Sequence, residues 1–289
     1  MTKPFFTGAC TALVTPFLNG KINYPMVEIL IQRQIKAGIP AVVLSGTTGE
    51  SPTLTDGEKL ALIRIAKKTA GNAIKIIAGS GSNSTSHAIE LSVAAENEGA
   101  DGLLLVSPYY NKATPEGLYT HYASIARAVK IPIILYNVPS RTGVDIPVSV
   151  YKELSKISNI VGVKEASGSI SKILDIRTSC PSDFSVWTGN DDMTVPSISL
   201  GGQGVISVIS NLFPSQVQAM CLAALDGDLD TAAALQCQMY PCVKLLFSEV
   251  NPIPIKYAMK CIGYDCGECR LPLTKLSPEY RKQLAEVLK

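Results

Sequence analysis

Eight short runs rich in Val, Ile and Leu recur at roughly 25 to 35 residue intervals, and a longer segment with helical spacing follows each one. The runs are Ala9–Pro16, Ala41–Ser45, Ile74–Gly79, Gly102–Ser107, Ile131–Asn137, Ile160–Ala166, Phe184–Gly189 and Gly204–Ser207. Their apolar character is nearly continuous, as expected of parallel strands buried on both faces. Parallel neighbours need long crossovers, which the helical segments supply. The alternation therefore predicts an α/β fold: a TIM (β/α)8 barrel with a C-terminal helical extension.

Helix boundaries agree with this pattern. Thr55 and Glu58 form a capping-box pair before the apolar-periodic stretch Leu60–Ala70, and Gly71-Asn72 supplies a stop. After the eighth run the segments Pro214–Leu225, Leu229–Phe247, Ile253–Ile262 and Pro278–Leu288 are all helical, with no further strand. The expected organisation is a barrel over 1–226 that carries the site, and a helical appendage over 227–289 packed on it as part of one cooperative unit. No low-complexity linker or internal repeat interrupts the chain.

Charge narrows the function. Lys plus Arg number 26 and Asp plus Glu 24, so the net charge of +2 offers no broad field for nucleic acid or an anionic membrane. Mean hydropathy is high at +0.22. Even so, Gly, Pro, Ser or a charge interrupts every apolar stretch short of the ~18 residues a spanning helix needs. Pro4–Phe17, broken by Gly8, Thr11 and Pro16, makes a poor signal peptide, and a cytoplasmic location is expected. The eight cysteines are then expected as reduced thiols.

Active sites of such barrels lie at the C-terminal ends of the strands. The second run leads into Gly46-Thr47-Thr48-Gly49-Glu50, the fifth into Tyr136-Asn137-Val138-Pro139-Ser140-Arg141-Thr142-Gly143, and the sixth into Gly162-Val163-Lys164-Glu165-Ala166-Ser167-Gly168. Alternation puts Ile160, Gly162, Lys164 and Ala166 on one face, and the missing side chain at Gly162 leaves room for Lys164 inside the barrel. Desolvation there favours the neutral amine that forms imines. A strand-end lysine that reaches solvent or pairs with Glu165 fits the spacing equally well. Tyr136 reads as a packed core tyrosine or as a buried phenol with a polar task. The Thr47-Thr48 turn reads as a plain turn or as a cradle of backbone N–H groups for a small carboxylate. Arg141 reads as a solvated arginine or as a fork for a second carboxylate.

Taken together, Gly46-Thr47-Thr48-Gly49-Glu50-Ser51, Ser107-Pro108-Tyr109-Tyr110, the Tyr136–Gly143 and Gly162–Gly168 segments and Gly204-Val205-Ile206-Ser207 resemble the dihydrodipicolinate synthase family. That family sits in the N-acetylneuraminate lyase superfamily of class I, Schiff-base aldolases, and the resemblance runs almost the whole chain. It implies a lyase of the diaminopimelate route to lysine, in which Lys164 forms a Schiff base with pyruvate and the enamine condenses with L-aspartate 4-semialdehyde. It also implies a proton relay of Tyr136, Thr47 and Tyr110, with Tyr110 supplied by a neighbouring subunit of a dimer, itself half of a homotetramer. Thr48 and Thr47 would hold the pyruvate carboxylate and Arg141 that of the semialdehyde, while Gly189 and Ile206 would line the pocket. Asn190 stands where the family commonly has Asp, a departure at the periphery. Neither motifs nor resemblance calls for a metal or another cofactor.

Lysine-inhibited members bind lysine at positions matching Ser51, Pro52, Asp56, Lys59, Asn83, His87 and Tyr109. Here His87 replaces the usual glutamate, and Lys59 adds a cation, so the resemblance implies a vestigial effector site with weak or absent feedback. His87 and His121 are too far apart in sequence to suggest a shared metal. Cys266-Gly267-Glu268-Cys269, with Cys261 upstream, has the spacing of half a zinc site but lacks a second pair. Two rivals share the features: another pyruvate-dependent aldolase, such as N-acetylneuraminate lyase or a 2-keto-3-deoxy sugar acid aldolase, and a non-catalytic barrel-based binder. Arg141 separates the first, because a small carboxylate-bearing aldehyde needs its fork and a polyhydroxy chain does not.

Overall fold

The computed structural model describes residues 3–289. Strands Gly8–Ala12 (β1), Ala41–Leu44 (β2), Lys75–Gly79 (β3), Gly102–Val106 (β4), Ile133–Asn137 (β5), Ile160–Glu165 (β6), Ser185–Thr188 (β7) and Gly204–Ser207 (β8) pair in parallel and in chain order. β8 returns to β1, so the sheet closes as a barrel, as the alternation predicts. The crossovers carry helices α1 (Tyr24–Lys36), α2 (Asp56–Ala70), α3 (Thr85–Asn97), α4 (Pro115–Ala128), α5 (Pro139–Thr142), α6 (Val148–Leu154), α7 (Ile170–Ser179) and α8 (Thr194–Ser199). Helix α9 (Pro214–Leu225) follows β8, and α10 (Leu229–Leu246), α11 (Ile253–Cys261) and α12 (Pro278–Val287) complete the chain. Helix α10 is the longest of these, and no helix among the described residues is long and apolar enough to cross a membrane.

Two-sided burial explains the unbroken apolar runs. Val42, Ile76, Leu103, Leu135, Val163 and Val186 turn outward under the helices, while Ala41, Ile77, Leu104, Ile134, Tyr136, Trp187 and Ile206 turn inward. Phe6 plugs the lower end by stacking on Trp187 with ring centroids 4.6 Å apart. The Thr55–Glu58 capping box forms as expected: Thr55 Oγ1 accepts from the Glu58 amide at 3.2 Å, and Glu58 Oε2 accepts from the Thr55 amide at 2.9 Å.

Two details depart from the expectation. The first strand stops at Ala12, and the chain continues into an antiparallel hairpin of Phe17–Leu18 with Lys21–Ile22. Strands of two residues carry no periodic signal, but Asn19-Gly20 between them is a hairpin turn pair, and both residues have positive φ (51° and 77°). In β6 the register against β5 slips, so that Ile133 faces Ile160 while Ile134 faces Gly162. Val161 is the extra residue of a bulge, which flips the alternation before it. Ile160 therefore points to the outer shell rather than sharing the face of Lys164.

The C-terminal segment grips the barrel's upper rim. Arg270 donates to Glu58 Oε1 and Oε2 at 2.6 and 2.8 Å, to the Thr53 carbonyl at 2.8 Å and to the Gly20 carbonyl at 2.9 Å. The Glu58 carboxyl is drawn down to about 2, chiefly by the bond from the Arg270 guanidinium. A carboxylate lowered in this way adds stability that is complete above its unfolded value of about 4.3 and is lost as the pH falls towards its folded value. The thermal midpoint should therefore fall on acidification from about pH 4.5 to 2. Arg270→Ala should lower the midpoint at neutral pH and flatten this part of its pH dependence. Circular dichroism melts across the range check both, and an unchanged acid slope in the variant would contradict the assignment.

Candidate active site

The closed barrel brings the ends of β2, β5, β6, β7 and β8 around one mouth. Tyr136 and Lys164 are register partners on adjacent strands, and both face inward. Lys164 is only 5% exposed and its Nζ lies 4.4 Å from the centroid of the Tyr136 ring. Neither a lysine reaching solvent nor one paired with Glu165 is what the fold holds. Glu165 points the other way and accepts from Asn137 and from the Ser167 amide.

The space for Lys164 does not come from Gly162. A Cβ there would lie 2.2 Å from the Ser185 carbonyl oxygen and 2.9 Å from the Trp187 ring, so that notch is filled by β7. Room comes instead from Gly189 just past β7, whose absent Cβ would sit 2.8 Å from Lys164 Cε and 2.6 Å from Ala166 Cβ. Ile206 of β8 is fully buried in the same inner cluster as Tyr136 and Trp187.

The turn after β2 leaves two of its amides outside its own bonds. Its internal bonds run from the amides of Gly49 and Ser51 to the Gly46 carbonyl and from the Glu50 amide to the Thr47 carbonyl. The amides of Thr47 and Thr48 take no part in them, which suits an anion cradle. Ser45 and Glu50 bracket the turn with positive φ of 54° and 57°, a strained conformation that surrounding bonds must hold.

The Thr15 hydroxyl supplies one of those bonds, to the Gly49 carbonyl at 2.7 Å, and the C-terminal segment supplies others that no periodicity or motif spacing announces. Glu50 is buried against Lys256 of α11 at 2.8 Å and also accepts from the Arg270 amide at 2.9 Å. Lys256 donates in addition to the Glu268 carbonyl at 3.2 Å. A buried pair with such extra partners is expensive to break, by about 3–5 kcal/mol when one member is removed. Asn251 donates from Nδ2 to Thr48 Oγ1 at 3.0 Å, and its carbonyl accepts from Arg141 at 3.3 Å. These contacts span up to some two hundred residues of sequence, and the only local hint is the presence of Glu50 inside the motif.

Arg141 is exposed at the rim on α5. Tyr110 does not join the cluster within the single chain: it is 91% exposed and has a positive φ of 72°. Of the residues matched to an effector site, five fall into two contacting groups. Asp56 meets Lys59 at 3.3 Å and His87 at 2.8 Å, and Asn83 donates to the Tyr109 carbonyl at 3.2 Å. Ser51 opens the short helical turn Ser51–Thr53 nearby in sequence. The Asp56 carboxyl is lowered, foremost by the bond from His87.

His121 is a core residue bonded to Thr85, and burial lowers it to about 4. Burial pushes the Cys266 and Cys269 thiols up to about 12, so both stay protonated at neutral pH. Among the described residues no three His, Cys, Asp or Glu side chains converge as metal ligands.

Gly189→Ala tests the assignment of space. The added methyl must displace Lys164, because Ala166 cannot yield as a flexible side chain can. Rates of Lys164 chemistry should fall about tenfold or more, with the fold retained by circular dichroism. A variant as fast as the parent would show that Lys164 does not need this space.

Comparison with known proteins places these features in context. Residues 5–289 match the model of the dihydrodipicolinate synthetase family. The chain is 45% identical over 289 residues to the 4-hydroxy-tetrahydrodipicolinate synthase of Acetivibrio thermocellus, covering 100% of this chain and 98% of that protein. It is 50% identical over 292 residues to the enzyme of the same name from Campylobacter fetus, at 100% and 98% coverage. The chloride-inhibited dihydrodipicolinate synthase from Acinetobacter baumannii, solved in complex with pyruvate, superposes with a TM-score of 0.96 at 41% identity, covering 98% of each chain. With its barrel, its inward lysine and its full-length similarity, the chain belongs to the dihydrodipicolinate synthetase family.

Proposed function

We propose that the chain is a Schiff-base-forming lyase that carries out the 4-hydroxy-tetrahydrodipicolinate synthase reaction, condensing pyruvate with L-aspartate 4-semialdehyde. One observation carries this reading: a buried Lys164 amine against the Tyr136 ring, in a mouth where the Thr47 and Thr48 amides are left out of the turn's own bonds. A buried amine is placed to meet a carbonyl carbon, and turn amides left free of internal bonds suit the carboxylate of a 2-keto acid.

In this proposal the pyruvate carboxylate sits on the Thr47 and Thr48 amides, with its ketone carbon toward Lys164 Nζ. The amine adds to that carbon, and the resulting carbinolamine loses water to give the imine. Loss of a methyl proton gives the enamine, whose terminal carbon attacks the aldehyde carbon of the semialdehyde while the aldehyde oxygen takes a proton. The semialdehyde's own amine then adds to the imine carbon and displaces Lys164, releasing cyclic 4-hydroxy-tetrahydrodipicolinate and the free lysine. Tyr136 is the nearest phenol for these proton transfers, relayed through Thr47 and through Tyr110 of a second subunit. The exposure of Tyr110 supports a dimer as the smallest complete catalytic unit, and a tetramer of two such dimers is the assembly we propose. Arg141 holds the semialdehyde carboxylate at the rim, and Gly189 and Ile206 shape the wall. Within this reading residues 227–289 fold together with the barrel over 1–226, because Lys256, Asn251 and Arg270 hold its catalytic turn. A biosynthetic role of this kind is consistent with a cytoplasmic enzyme.

Borohydride reduction in the presence of pyruvate, followed by peptide mapping, should place one adduct on Lys164. Lys164→Ala should abolish it together with turnover. Consumption of aspartate semialdehyde without cleavage of N-acetylneuraminate is expected, and the reverse would transfer the assignment to a sugar-acid aldolase. Asp56 is already engaged by Lys59 and His87, so added lysine should inhibit weakly or not at all. Inhibition at the concentrations that stop lysine-sensitive members would contradict this.

A further inference from the structure

Behind the two facing residues, on the outer surface of the same strand ends, lies a polar cluster that the proposed chemistry does not use. Asn137 follows Tyr136 and Glu165 follows Lys164, and the two are register partners across β5 and β6. Both are at most 2% exposed. The Asn137 amide nitrogen donates to both Glu165 carboxylate oxygens, at 3.0 and 3.1 Å, and to Asp145 Oδ1 at 2.8 Å. Its oxygen accepts from the Ile146 amide at 3.0 Å, which closes the loop that bears Arg141. Glu165 accepts in addition from the Ser167 amide at 2.8 Å and from the Tyr151 hydroxyl at 3.4 Å. Lys172 pairs with Asp145 at the edge of the cluster.

We infer that Asn137 and Glu165 act as a positioning pair, fixing the approach of Tyr136 to Lys164 by cross-linking the outer faces of β5 and β6 one residue beyond them. Side chains of consecutive strand residues leave the backbone on opposite faces, so a tie on the outer face sets the separation of the inner pair. The backbone ladder alone supplies less at this point, because it ends here: the Ala166 amide bonds to the Asn137 carbonyl and the Gly189 amide to the Glu165 carbonyl as the strands run out. The side-chain tie continues the sheet past that end, and the same asparagine anchors the return of the Arg141 loop. Displacing a reacting group by about 1 Å can cost about 100-fold in rate, so a pair placed here bears on chemistry without touching substrate.

The inference rests on the proposed function, and its test separates the two. Glu165→Gln keeps the size of the side chain but sets an NH2 group against the Asn137 amide nitrogen in either orientation, and leaves the Ser167 amide or the Tyr151 hydroxyl without its acceptor. Asn137→Asp sets a new carboxylate against those of both Glu165 and Asp145. The double variant Asn137→Asp/Glu165→Gln restores one donor and one acceptor across the strands with their places exchanged, while the repulsion from Asp145 stays. Pyruvate KM, kcat with aspartate semialdehyde, the rate of borohydride trapping at Lys164 and the thermal midpoint are measured for each full-length protein.

Each single variant should lose about 10- to 100-fold in kcat and trapping rate, while pyruvate KM stays within about threefold of the parent, because the proposed carboxylate cradle is in the turn after β2. The double variant should be about fivefold or more faster than the product of the single losses predicts, because the tie between the strands is remade while only the contact with Asp145 stays repulsive. Glu165→Gln is the milder change and decides the matter by itself if Asn137→Asp does not fold. Parental kcat in Glu165→Gln, a loss carried by KM, or a double variant as slow as the product of the singles would overturn the pair. Absence of any adduct in the parent protein would overturn the proposed function instead.

Discussion

Closure of the parallel sheet is the constraint on which everything else rests. Once β8 pairs with β1, each strand has one face toward a shared interior and the other toward the helices, and only a residue at the C-terminal end can be both buried and near the mouth. Lys164 satisfies both conditions at 5% exposure, and Tyr136 meets it because adjacent parallel strands hold register partners side by side. Charge matters in this setting because the surroundings are apolar: Ile134, Trp187 and Ile206 share the interior with the lysine. The near-balance of charge over the whole chain follows the same logic, since the small anionic substrates of the proposed reaction call for local contacts rather than a broad positive field.

The second organising feature is the return of the C-terminal segment to the barrel rim. A turn with two residues in left-handed conformation does not hold itself, and here Lys256, Asn251 and Arg270 hold it from outside. A buried ion pair is a poor source of net stability compared with apolar packing, but it is demanding about geometry. Lys256 and Glu50 thus trade stability for a fixed turn, and the turn carries the amides that the proposed mechanism uses. The outer tie between Asn137 and Glu165 does the same for the facing pair on β5 and β6. In both places most of the polar groups excluded from water are paired across separate segments of the chain, with Asn251 Oδ1 and Ser45 Oγ the exceptions.

How much of this could be read beforehand divides by the range of the interaction. The eight strands, the capping box at Thr55 and the four final helices were legible because periodicity and end signals are local. The hairpin at Phe17–Ile22 escaped through its brevity, although Asn19-Gly20 announced its turn. The bulge at Val161 escaped because alternation assumes an unbroken strand, and the error propagated to the face of Ile160 and to the role given to Gly162. Gly189, proposed only as part of the wall, proved to be the residue whose missing side chain admits Lys164.

The sequence by itself determined the architecture and the chemical parts: apolar runs of the right length can bury two faces only in a covered parallel sheet, and motif residues at strand ends converge wherever such a sheet closes. It could not determine which glycine gives the lysine its space, which distant side chains hold the Thr47-Thr48 turn, or that Asn137 and Glu165 bond to each other. Those depend on register and on contacts between segments up to two hundred residues apart, and only the folded chain brings such groups within hydrogen-bonding distance.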